Sequence, residues 1–244
     1  MSAALRTEIT KFLRSRAPWV TAAAFLLPVA LAALFTGASD TPSLSEKSQA
    51  LGITPDWPGF HTALMQIDAA GGFLLFGILI TWMFGREFSD RTVLDLLALP
   101  TSRTAIVLAK FAVTTVWLIL LGAFQTAAWV TTGTLLGLSG TPHHGLSGLV
   151  LLLALTVALT LPVALAASAG RGYLPGIAAT IALLVCGVAA ATLGAATWFP
   201  WALPATVGGL TGTASFPVSG PVIGAATAAA GIAATASWWR RADH

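Results

Sequence analysis

Six apolar runs, each long enough to cross a bilayer, divide this chain, and a water-soluble core has no place for that pattern. They fall at residues 18–37, 66–85, 106–138, 146–168, 174–197 and 216–239. A membrane-spanning helix needs about 20 consecutive apolar residues. A soluble domain carries roughly 25% charged residues. This chain is 56% hydrophobic and 9% charged, so it cannot cover itself with polar surface. The predicted fold is a single all-α integral membrane domain over residues 1–244, with six transmembrane helices.

The charges mark the sides of the membrane. Arg6, Lys11, Arg14, Arg16, Arg86, Arg91, Arg103, Lys110, Arg171, Arg240 and Arg241 collect on one side, and Lys47 stands alone on the other. By the positive-inside bias, both termini and the segment between the second and third spans face the cytoplasm. The basic residues sit at the ends of apolar runs, so they mark a membrane edge and no nucleic acid is expected as partner. Residues 3–16 read AALRTEITKFLRSR, with Leu5, Ile9, Phe12 and Leu13 on one helical stripe and Arg6, Lys11 and Arg14 elsewhere. That is a basic amphipathic helix suited to the interface, over residues 1–17. Residues 39–68 read as an outer loop, with Trp57 and Phe60 as interface anchors. Residues 198–215 are aromatic, uncharged and broken by Pro and Gly, which predicts a re-entrant outer hairpin. Pro162 predicts a kink in the fourth span. The third run is too long for one perpendicular crossing, so it tilts or projects into the cytoplasm.

The segment between the second and third spans holds the densest functional signal: FGREFSDRTVLDLLALPTSRTAIVLAK, residues 84–110. Glu87, Arg91 and Asp95 are spaced i, i+4, i+8, one stripe of alternating charge if the segment is helical. Leu96, Leu97 and Pro100 lie on another face. Ser89 or Asp90 is a candidate N-cap and Pro100 a stop; Thr101 and Ser102 offer a fresh cap for the helix that begins at Arg103. A plain connecting loop is the alternative.

Catalytic and nucleotide-binding motifs are missing from the sequence, including any GxxxxGK[ST] loop. Adjacent His143 and His144 lack an evident third ligand, and Cys186 reads as a small apolar residue. At membrane depth the polar groups are few: Gln125 in the third span and Asp68 at the outer start of the second. Either can line a substrate path. Gln125 can equally hydrogen-bond a neighbouring helix, and Asp68 can be hydrated.

The basic opening LRTEITKFLRSR, the six spans, REFSDRTVLDLLALPTSRTAIVLAK and FPWALP before the last span resemble the ABC-2 family of ABC transporter permeases over essentially the whole chain. The sharpest likeness lies at Glu87, Thr92, Leu96, Leu97, Pro100, Ser102, Arg103 and Lys110. Arg91 departs from the family, which often has glycine there. The resemblance implies a cytoplasmic coupling helix around Glu87–Pro100, whose docking residues would be Glu87, Asp90, Arg91, Asp95, Leu96, Leu97, Pro100 and Arg103. It implies two cytoplasmic ATP-binding subunits carrying ATP and Mg, with no cofactor in this chain, and a second copy of the chain or a similar permease in the plasma membrane. ATP-driven export of a drug, a peptide antibiotic or a lipid-linked compound would follow. A channel or ion-coupled carrier, and a scaffold or sensor subunit without transport, are the other readings.

Overall fold

Bulky apolar side chains face outward as well as inward: Trp19, Leu34, Ile119, Val185 and Val222 are all exposed. Such a surface is a liability in water and the natural outer layer of a membrane protein. The computed structural model describes residues 2–37, 42–93, 101–212 and 215–241. It contains six helical stretches long and apolar enough to cross a membrane, so the chain is an all-α, multi-pass membrane protein.

Helix α1, Ser2–Arg14, precedes the first spanning stretch, which is built from α2, Ala17–Ala24, and α3, Leu27–Thr36. A short helix α4, Pro42–Ala50, follows. The second stretch joins α5, Trp57–Ile67, through a single π-helical turn at Asp68–Gly72 to α6, Phe73–Ser89. The third is one unbroken helix, α7, Arg103–Leu135, whose 33 residues make about 50 Å at 1.5 Å per residue. The fourth comprises α8, His143–Thr160, and α9, Val163–Ala169. Pro162 interrupts it as expected, because proline donates no hydrogen bond within a helix. The fifth is α10, Tyr173–Thr192; then come a short α11, Leu203–Val207, and the last stretch, α12, Gly220–Arg241.

The second stretch starts well before residue 66, and this corrects the outer-loop reading. Asp56 caps α5 by accepting from Gly59 N at 2.8 Å, and Pro58 occupies the first turn, where its missing N–H costs nothing. Trp57 and Phe60 are accordingly not interface anchors. Both are buried, and both pack on Trp129 of α7, with ring centroids 5.2 and 6.1 Å away.

Helices α6 and α10 approach each other more closely than side chains on both would permit. A Cβ on Gly77 would lie 2.3 Å from Thr180, one on Gly176 2.6 Å from Thr81, and one on Gly85 2.9 Å from the backbone of Gly172. The three contacts form an antiparallel ladder in which one partner of each rung is always glycine. The Gly172/Gly176 pair in the sequence is therefore a packing seam.

The aromatic stretch after α10 turns into the bundle. Trp201 Nε1 donates to Leu159 O at 2.9 Å, well inside the fourth stretch. A Cβ on Gly187 would lie 2.2 Å from Trp201 O. Leu203, Pro204, Ala205 and Val207 are buried. An uncharged sequence can be buried this way because Pro200 and Pro204 remove backbone donors that would otherwise need partners.

Candidate functional site: a buried ion network at the head of the second and third spans

Where α1, the end of α6 and the start of α7 meet, five charged side chains converge. Lys110 of α7 is fully buried. Its Nζ donates to Glu87 Oε1 at 2.9 Å, Glu8 Oε2 at 3.1 Å and Met83 O at 3.4 Å. An ammonium has three donors, and here all three are used. Lys11 Nζ lies 3.4 Å from Glu87 Oε1 and 3.7 Å from Glu8. Arg86 sits 3.5 Å from both carboxylates, and its guanidinium stacks over Trp82 at 4.7 Å. Glu87 Oε2 accepts from Thr92 Oγ1 at 2.8 Å. Two carboxylates are thus held by three cations, and the surplus positive charge belongs to the half-exposed Lys11 and the π-stacked Arg86. The cluster ties α1 to the second and third spans, reinforced by Phe12, which packs edge-on against Trp82 and Trp117.

The expected charge stripe is not built on one helix. Helix α6 ends at Ser89, with Asp90 as C-cap. Arg91 N donates to Phe88 O at 3.2 Å and Thr92 N to Glu87 O at 2.9 Å, the paired bonds of a Schellman cap, with Arg91 left-handed at φ 57°. Neither Ser89 nor Asp90 starts a helix there. Glu87 therefore belongs to the second span and points inward, 3% exposed. Its carboxylate is taken up inside the protein by Lys110, Thr92, Lys11 and Arg86. Asp90 and Arg91 are exposed. Asp95, Leu96, Leu97 and Pro100 lie outside the described residues. Arg103 opens α7 under the expected Ser102 cap, which accepts from Ala105 N at 3.2 Å. Arg103 Nη1 reaches Trp239 O at 3.4 Å, so the third span is also clamped to the end of the last.

Arg91 occupies a conformation that costs an L-residue roughly 1 kcal/mol or more, and glycine does not incur that cost. Arg91→Gly is expected to be neutral or stabilising by up to about 1 kcal/mol, read as an unchanged or raised Tm in detergent. A clear drop in Tm would mean that the arginine side chain supplies more than the backbone strain removes.

Gln125 and Asp68 do meet, but as partners of each other. Gln125 Nε2 donates to Asp68 Oδ1 at 2.7 Å and Oδ2 at 3.0 Å, and both residues are buried. Because the second span begins at Trp57, Asp68 lies inside it and not at its hydrated outer start. The pair fastens the π-turn to α7. Neither residue lines the larger cavities, so the weak substrate-path reading gains nothing.

Sequence reasoning missed Glu8, Lys11, Arg86 and Lys110 as a cluster. One signal was legible. Glu8 is the only acid in α1 and falls at i+4 from Ala4 and i−4 from Phe12, both buried. A carboxylate on the apolar stripe of an amphipathic helix requires a cation, and Lys110 is the one lysine inside a spanning run.

The family model of the ABC-2 family transporter proteins matches residues 4–187 of the chain. A bacitracin transport permease protein from Bacillus licheniformis is 28% identical over 182 residues, covering 70% of this chain and 85% of that protein.

Proposed function

The chain belongs to the ABC-2 family of transporter proteins, and from that premise we propose that it is the permease subunit of an ATP-driven exporter whose cargo is a peptide antibiotic or a similar amphipathic compound. The observation that carries the reading is the joint match to the family and to a bacitracin permease over most of the chain. ATP and Mg belong to two separate cytoplasmic ATP-binding subunits. A second copy of the chain, or a similar permease, completes the pore in the plasma membrane, and both termini are cytoplasmic. The charge asymmetry of the sequence supports that orientation.

Docking falls to the segment that follows the α6 cap, with Asp90, Arg91 and Arg103 flanking it and Asp95, Leu96, Leu97 and Pro100 within it. The ion network supports this role mechanically. It joins both flanks of the segment to α1, so force applied to the segment reaches the second and third spans through a rigid joint.

Reconstitution of the chain with its ATP-binding subunit in vesicles tests the proposal: ATP should drive bacitracin movement, with hydrolysis stimulated by the peptide. Leu94→Pro is expected to leave the protein inserted and abolish coupling, because proline would break the coupling helix that the family resemblance implies for this segment. Full transport by that variant would reduce the segment to a connector. Transport without any ATPase would replace the exporter reading with a carrier.

A further inference from the structure

At the end of the bundle opposite the ion network, two cavities adjoin. One, of about 460 Å³, is lined by Trp57, Pro58, Trp129, Thr141 and Pro142; the other, of about 720 Å³, by Leu51, Met65, Leu151 and Phe216. His61 and Thr62 line both. Among the described residues, no Asp, Glu, Lys or Arg faces either cavity.

Two polar nitrogens here find no hydrogen-bond partner among the described residues. Trp129 is fully buried, and its Nε1, which can only donate, has no acceptor. His61 Nε2 is buried without a hydrogen-bond partner as well. The imidazole lies over Gly145, where a Cβ would come within 2.4 Å of its Cδ2, and packs edge-on against the Trp129 ring at 6.0 Å. The rings of Trp57, Phe60, His61 and Trp129 hold one another in place. A buried donor left unmade is costly, whereas an indole N–H beside an open cleft on a rigid aromatic frame, next to an imidazole nitrogen that can donate or accept, suits an amide, which brings both an acceptor and a donor.

We propose that this double cleft binds an uncharged peptide segment: a backbone amide carbonyl accepts from Trp129 Nε1, a second amide faces His61, and an apolar side chain enters the adjoining cavity against Met65 and Phe216. The lack of charge among the described wall residues argues against a phosphate or carboxylate, since no cation there would offset the desolvation of an anion. Proline and indole faces are suitable walls for a peptide, and ligand sites of this kind are mostly apolar with a few placed polar groups. The inference rests on the exporter reading above for the cargo class, but it assigns a specific binding site to that cargo.

The test is binding of dye-labelled bacitracin to the full chain in nanodiscs, without any ATPase, followed by anisotropy. Wild-type protein should bind saturably. Trp129→Phe keeps the ring and removes the donor, and should weaken binding tenfold or more. Thr62→Phe leaves Trp129 intact and fills the passage between the cavities, and should abolish saturable binding. Should Trp129→Phe fail to fold, as judged by Tm, the Thr62→Phe result decides alone. Wild-type affinity in the folded variants overturns the site while the exporter reading stands, provided vesicles with the ATPase still move the peptide. An absence of binding by wild type overturns the peptide cleft, and the vesicle assay then decides the exporter reading separately.

Discussion

Lys110→Met should be among the most damaging single substitutions in this protein. The side chain is fully buried and makes hydrogen bonds to two carboxylates and a carbonyl. Methionine fills similar volume but leaves Glu8 and Glu87 facing only Arg86 at 3.5 Å and the half-exposed Lys11. Removing one partner from a buried ion pair typically costs about 3–5 kcal/mol. Arg86 and Lys11 take up part of the lost compensation, so the lower end, about 3 kcal/mol, is expected, read as a large fall in Tm in detergent. Glu87→Gln alone leaves three cations around Glu8 and should also destabilise. The double variant Lys110→Met/Glu87→Gln removes one charge of each sign and should be less damaging than the two single costs added together. A coupling energy of about 1–3 kcal/mol is expected from the cycle. Additive losses, or a Lys110→Met protein with wild-type Tm, would show that the cluster does not hold α1 to the spans. On the exporter function proposed above, folded but weakened variants should still support ATP hydrolysis by the ATP-binding subunit while moving less substrate, because the joint has loosened.

The second large effect is expected at the α6–α10 seam. Alanine is better than glycine within a helix by about 1 kcal/mol, so propensity alone predicts that Gly176→Ala stabilises. Packing predicts the opposite, since the new Cβ would stand 2.6 Å from Thr81 and 3.0 Å from Ala167. Overpacking a tight contact costs about 1–3 kcal/mol, and here both neighbours are fixed on helices. Packing should win, and Gly176→Ala should lower Tm. Gly176→Leu should prevent the two helices from docking and leave little folded protein. Gly122→Ala in α7 is the matched control: its Cβ would meet only Leu153 Cδ1 at 3.4 Å, so its effect should be neutral or favourable. Equal behaviour of the two alanine variants would mean that the seam is looser than its contacts imply.

Both expectations depend on features that the sequence displays unequally. Gly172 and Gly176 are visible as a small-residue pair, yet Gly133/Gly137 and Gly220/Gly224 have the same spacing and do different things. Gly133 makes room for the Trp57 ring, and Gly137 ends a helix at φ 63°. Spacing cannot tell a helix–helix seam from a pocket for one indole, because that depends on which way each helix is rotated. Glu87 illustrates the same limit. Its i, i+4, i+8 relation to Arg91 and Asp95 holds on paper, but the Schellman cap at Asp90–Thr92 breaks the helix between them. Glu87 is left with partners from α1 and α7.

Read alone, the sequence determined the membrane class, the six spanning stretches, a cap at Thr101 or Ser102 and the break at Pro162. These features follow from local free energies: transfer of an apolar run into hydrocarbon, satisfaction of nearby backbone donors, and the missing N–H of proline. Only the tertiary structure decided that Glu8 meets Lys110 across 102 residues, that Asp68 is buried against Gln125, and that Trp57 belongs to a helix and not to an interface belt. Each of these depends on the rotation and depth of one helix against another, which the summed packing of the whole bundle sets and no window of sequence contains.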